Sequence, residues 1–170
     1  MSVAAEEKNQ PNWRDNKLED LRDIDRDYFL AAPNLLEAGK DRCEALAIAA
    51  KAFQVLNGER IIKIPQIDFW VTVTPKLLEH IVEKRNDARE RYSNFALETL
   101  TSPYEIWKVL YTDGGYRLAF IGLFVGRKSM LVVINILPDG HVLWNFMHCE
   151  VKKLNKHRIG TLIYSNSKPK

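Results

Sequence analysis

With 170 residues and 46% hydrophobic content, the chain has apolar surface for one ordinary core and room for a small appended lobe. Cys43 and Cys149 are too few and too far apart for a disulfide framework or a Cys-x-x-Cys metal knuckle, which favours a reducing compartment. The formal net charge of +3 is small, but the charge is unevenly spread, and its distribution decides how a polyanion is steered.

Residues 1 to 30 are acidic on balance, with Asp20, Asp23, Asp25 and Asp27 outnumbering nearby Arg22 and Arg26. From Val151 onward the chain carries Lys152, Lys153, Lys156, Arg158, Lys168 and Lys170 and no acid, a candidate phosphate-binding surface. The first residues lack the charged start and apolar core of a signal peptide, and no charge-free stretch approaches membrane-spanning length. A soluble chain acting in the cytoplasm, with no membrane partner, is expected.

In chain order, residues 1 to about 16 read as a loose polar arm. Helical spacing of Leu18, Leu21, Ile24 and Tyr28 predicts a helix from Asn16 that Pro33 interrupts. A second helix is predicted over Cys43 to Val55 and ended by Asn57-Gly58. These elements make a helical lead-in over residues 1–59, ahead of a second unit at 60–170. Ile61 to Ile64 and Phe69 to Val73 suit short strands, and Thr74 with Pro75 marks the start of a helix running at least to Arg85. On that helix Leu77, Leu78, Ile81 and Val82 form the apolar arc, with His80 and Lys84 at its edge. If the helix continues, Arg91 joins that edge; if it breaks at Asn86-Asp87, another begins near Ala88. In both cases His80 and Arg91 are expected to converge.

Ser102-Pro103 closes the helical section. Four strands follow at Glu105 to Tyr111, Tyr116 to Val125, Ser129 to Leu137 and His141 to Val151, joined by short Gly-containing turns. A last strand is predicted at Thr161 to Tyr164. The expected fold is α+β: N-terminal helices, then a twisted antiparallel sheet of four to five strands with helices packed on one face.

Metal-independent RNA cleavage needs a base for the ribose 2′-OH, an acid for the leaving 5′-oxygen, and cations for the charge gathering on phosphorus. Histidine suits the first two tasks because its ordinary pKa lies near working pH. His80 reads either as a ring packed beside Leu77 or as a group kept near phosphate by Lys84 and Arg91. On the fourth of these strands Val142, Trp144 and Phe146 are expected to face inward. His148, at its end, then reaches either the core edge or a cleft. His141 and His157 read as solvated. Arg91 and Arg158 fit phosphodiesters through the guanidinium fork, or else pair with Asp87 and Glu150. Trp107 suits core packing more than base stacking, and Glu105 reads as a solvated, turn-adjacent acid. Motifs for nucleotide-phosphate loops, zinc proteases and serine hydrolases are missing.

The order Thr-x-x-x-Leu-x-His-Ile (Thr74 to Ile81), Arg91-Tyr92, Ser-Pro-Tyr-Glu-Ile-Trp (Ser102 to Trp107), a run of strands, and Lys-x-Arg-x-Gly-x-Leu-x-Tyr (Lys156 to Tyr164) resembles the phage-borne nuclease domains of the barnase, EndoU, colicin and RelE-like (BECR) superfamily. The resemblance covers about residues 60 to 165. It implies an endoribonuclease, toxin-like or phage-associated, that leaves 2′,3′-cyclic phosphate and 5′-hydroxyl ends on RNA, with tRNA a family-level substrate. It further implies His80 as catalytic base or acid, Arg91 and Arg158 as phosphate binders, and Tyr164 as a site-facing hydroxyl. His148 completes the candidate catalytic set, and Lys84, Asn145, Lys153 and Lys156 the candidate substrate-binding set; no metal or other cofactor is expected. Asn145 lies where the superfamily often has Ser or Thr, so an inactive RNA-binding or protein-binding module on the same fold is the alternative. Delivery by phage or a secretion system, with an immunity protein as partner, also follows from the resemblance.

Overall fold

The computed structural model describes residues 4–83, 85–126, 128–138 and 140–166, without the side chains of Arg85 and Lys128. Helix α1 (Arg42–Phe53) starts where the Asp41 side chain accepts from the Glu44 amide at 2.8 Å, and it stops at Gln54, whose left-handed φ of 60° turns the chain out. Ala45, Ala49 and Phe53 recur at helical spacing and are fully buried. Strands β1 (Arg60–Ile64) and β2 (Phe69–Val73) form a hairpin. Thr74 caps α2 (Pro75–Val82) by accepting from the Leu77 amide, and Pro75 takes the first helical position. Helix α3 (Ser93–Thr101) follows two 3-10 turns, Arg85–Asp87 and Arg89–Tyr92.

Strands β3 (Glu105–Leu110), β4 (Tyr116–Phe124), β5 (Lys128–Leu137) and β6 (Gly140–Cys149) run as an antiparallel meander. A short helix α4 (Val151–Leu154) and a 3-10 turn, Asn155–His157, then lead to β7 (Thr161–Ser165), which pairs with β3. The result is one seven-stranded sheet in the order β1-β2-β6-β5-β4-β3-β7. The α+β class is as expected, but four to five strands becomes seven. The β1–β2 hairpin adds to the β6 side through a parallel pair, Thr72↔Val142, and β7 extends the β3 side.

Both faces of the sheet are covered. Helices α1, α2 and α3 pack on one, where Ile106, Leu118, Phe120, Val132 and Phe146 belong to the larger core. Trp107, Ala119, Ile121 and Leu131 point the other way, under Leu21 and Ile24 of the lead-in and Leu154 of α4. That is why β4 reads as a continuous apolar run and not as an alternation. The helix expected from Asn16 is corrected to two isolated 3-10 turns, Leu21–Asp23 and Arg26–Tyr28. Asp20 and Asp25 each accept from the amide two residues on, and such local bonds compete with a continuous helix.

Candidate active site

In the parallel junction between β2 and β6, Thr72↔Val142 is the one registered pair among the described residues. Beyond it, β6 is flanked by α2 and the Arg89–Tyr92 turn in place of a strand. Helix α2 ends at Val82, short of the expected Arg85, and Ala88 turns the chain with a left-handed φ of 42°. In a 3-10 turn, residues three apart eclipse, so Arg89 and Tyr92 share a side and Arg91 does not. Arg89 and Tyr92 are the pair that faces β6: Arg89 Nη1 donates to Asn145 Oδ1 at 2.6 Å, and Tyr92 stacks on His148 at 4.8 Å.

Strand β6 carries a bulge that changes its inward face. Leu143 pairs with Ile134 and Asn145 with Val133, leaving Trp144 as the extra residue. The expected inward set of Val142, Trp144 and Phe146 is therefore corrected to Leu143 and Phe146, both fully buried. Trp144, released from the core, lies 5.6 Å from the His80 ring, with the Arg117 guanidinium 4.9 Å over it.

The donors at this edge are fixed by their partners. Asn145 Oδ1 accepts from Arg89 and also from the Phe146 amide at 2.9 Å, so its NH2 group is left as the outward donor. Arg89 is 9% exposed through its side chain, donates from Nη2 to Asp87 at 3.1 Å, and has a buried Nε without a partner. His80 is 61% exposed, with Nδ1 3.7 Å from Glu83 Oε2. An accessible imidazole thus stands beside Trp144, and the next residue along β6 carries an amide oriented by a buried cation. They can move a proton and bind a phosphoryl oxygen.

The other candidates are placed elsewhere, and the expectation that His80, Arg91 and Arg158 gather at one point is corrected. Arg91 Nε donates to the Leu36 carbonyl at 3.2 Å and the Arg91 carbonyl accepts from the Leu36 amide, so this residue holds the lead-in against the helices. Arg158 is fully buried against Glu105, with Nε–Oε1 at 2.5 Å and Nη2–Oε2 at 2.8 Å, and Nη1 reaches Glu19 O and Asn155 Oδ1. Glu105 is accordingly a core acid within β3, and it also accepts from the buried Trp107 indole. Tyr164 sits on β7, four strand spacings from β6, or roughly 19 Å. His148, exposed, lies along the same edge as Asn145.

Lys153 and Lys156 are exposed beyond the end of β6, and Lys84 lies outside the described residues. His141 is not free in solvent: it stacks on Phe69 at 3.7 Å and bonds the Trp70 carbonyl. His157 is half-buried, and burial, with Lys156 beside it, pushes its pKa down to about 4. Arg89 and Arg117 were not legible as site residues. A helical wheel drawn through the break favours Arg91, and Arg117 has no motif beyond its place after a Gly-Gly turn.

A histidine-bearing helix and an arginine turn are set against β6 beyond its parallel pair with β2, in a mixed seven-stranded sheet that makes the domain α+β. The family model described as phage-Barnase-EndoU-ColicinE5/D-RelE like nuclease2 matches residues 49–165, and the chain belongs to that family. Neither a curated protein nor a solved structure matches the chain. Among the described residues, no group of three or more His, Cys, Asp or Glu is arranged to hold a metal ion. Nor is any helix long and apolar enough to cross a membrane.

Proposed function

We propose that this BECR-type nuclease cleaves RNA by metal-independent transesterification at the β6 edge, giving 2′,3′-cyclic phosphate and 5′-hydroxyl ends. The observation that supports the reading is the exposed His80 ring beside Trp144, the residue that precedes the Asn145 amide held by Arg89. In this scheme the neutral imidazole of His80 takes the 2′-OH proton as that oxygen attacks phosphorus. The bond to the 5′-oxygen breaks, and the leaving oxygen is protonated by water or by a second imidazole, for which His148 further along β6 is the candidate. Asn145 donates to a phosphoryl oxygen while Arg89 holds the amide in that orientation and adds positive charge nearby. Lys153 and Lys156 contribute longer-range attraction for the polyanion.

Structured RNA such as tRNA is the substrate class we favour, and an inhibitor protein covering the β6 edge is the corresponding partner. A phage or secretion system would bring the domain to a cytoplasmic target. The test is His80→Ala in the full chain, assayed on RNA in EDTA with the product ends mapped. Loss of about 10²–10⁴-fold in rate with RNA affinity nearly unchanged supports acid–base catalysis by His80. Asn145, an amide where the superfamily often has a hydroxyl, favours a second reading as a silent binding module. Under that reading the wild-type chain binds RNA without cleaving it.

A further inference from the structure

Arg117 belongs to no expectation drawn from the sequence, yet two aromatic rings hold its guanidinium. It occupies β4 between Val109 of β3 and Asn135 of β5. Its neighbour Leu118 packs with the helices while Ala119 packs on the opposite side, so Arg117 projects from the face away from α1, α2 and α3. There the guanidinium carbon lies 4.3 Å from the Tyr111 ring centre and 4.9 Å from that of Trp144. Stacking of this kind restrains the plane of the group and leaves N–H donors at its rim.

Among the described residues no carboxylate lies within ion-pair distance of Arg117. Glu6, bridged through its backbone to Tyr111, is near enough to feel both Arg117 and Lys156, which lower a carboxyl that burial raises. Two cations and the half-buried Glu6 carboxyl therefore share this corner, and a phosphodiester brought there would have both cations as complementary charges. The shared ring of Trp144 connects that corner to His80.

We propose that Arg117 is a phosphate anchor for the RNA strand, engaging a phosphodiester next to the scissile one, with Trp144 and Tyr111 as its positioning residues. The proposal rests on the reading that cleavage occurs at the β6 edge. Its test measures binding, so the two can fail separately. A fluorescent 2′-O-methyl oligoribonucleotide, which cannot undergo transesterification, is titrated by anisotropy into the full-length wild type, Arg117→Gln, Arg117→Lys and Trp144→Phe at several salt concentrations.

Arg117→Gln is expected to weaken binding about tenfold and to flatten the slope of log affinity against log salt by about 0.7, the share of one phosphate contact on a single strand. Arg117→Lys should keep the slope while losing affinity, because an ammonium does not reproduce the planar stack. Trp144→Phe, which shortens one of the two stacking rings, should lose less affinity than Arg117→Gln and keep the salt slope, while a far-UV circular dichroism spectrum and urea midpoint of Arg117→Gln equal to wild type show that the corner remains folded. Unchanged affinity and slope in Arg117→Gln overturn the proposal, as does a wild-type chain that does not bind the probe. If Arg117→Gln weakens binding while His80→Ala still cleaves at the wild-type rate, the assignment of His80 fails and Arg117 remains an anchor.

Discussion

Asn145 shows how a single side chain acquires a direction. Two N–H donors on its Oδ1 leave its NH2 group for a ligand, so the proposed chemistry calls for a donor and not an amide as such. Asn145→Ser should then keep kcat/KM within about tenfold of wild type, whereas Asn145→Leu should lose roughly one to two orders of magnitude, in line with the loss of an oxyanion-type donor. His157 makes a different prediction. Its pKa is near 4 in the folded chain and about 6.5 when unfolded. The unfolded state therefore binds more protons below pH 6.5, and stability falls as the pH drops from about 6.5 to 4. Thermal melts across that window should show His157→Gln with a shallower decline in Tm than wild type. The position of His80 at the edge of an apolar helical arc was readable from spacing alone. Arg89 was not, because the choice between Arg89 and Arg91 depends on three residues per turn, and composition does not reveal a 3-10 turn.

At the scale of elements, the strands and α1 to α3 were legible because alternation, capping residues and Gly-Pro punctuation agree locally with the final fold. Three features were hidden for identifiable reasons. The Asp20 and Asp25 side chains divide the lead-in into short turns although its apolar spacing is helical. The β6 bulge adds one residue without any change in composition, yet it moves Trp144 from the expected core to the candidate site. The outer strands β1, β2 and β7 join by long-range pairing that no local pattern specifies. The seat of α3 on the sheet offers a direct check. A Cβ on Gly122 of β4 would collide with Thr99 Oγ1, and Thr99 is fully buried with its hydroxyl bonded to the Phe95 carbonyl. Gly122→Val should destabilise by about 1–3 kcal/mol through overpacking, read as a lower urea midpoint with an unchanged m value. A midpoint equal to wild type would mean that α3 does not press on the sheet as described.

Across the whole molecule, the two layers over the sheet have different work. The helix side holds the larger core and carries His80 and Arg89 to the β6 edge. The opposite side is tied down by Arg158, which joins β3 through Glu105, the lead-in through the Glu19 carbonyl and the turn after α4 through Asn155. Partners separated by 53 residues, both fully buried, could not be paired from sequence, and the basic tail around Arg158 read as a phosphate surface instead. Removing one member of such a pair leaves a buried charge, so Arg158→Met should cost about 3–5 kcal/mol, while Glu105→Leu combined with Arg158→Met should recover most of it. Chemical denaturation of the single and double variants checks this, and a single variant as stable as wild type would contradict it.

The central claim, that the imidazole on α2 drives attack by a ribose 2′-OH, is tested most directly by comparing wild type with His80→Ala on two matched oligonucleotides in EDTA. One is all RNA and the other carries a single 2′-deoxy sugar at the mapped cleavage position. Wild type is expected to cut the first to a 2′,3′-cyclic phosphate and a 5′-hydroxyl and to spare the deoxy linkage, and His80→Ala to cut the RNA at least about a hundredfold more slowly. Equal cleavage of both strands by wild type, or undiminished cleavage by His80→Ala, would contradict it.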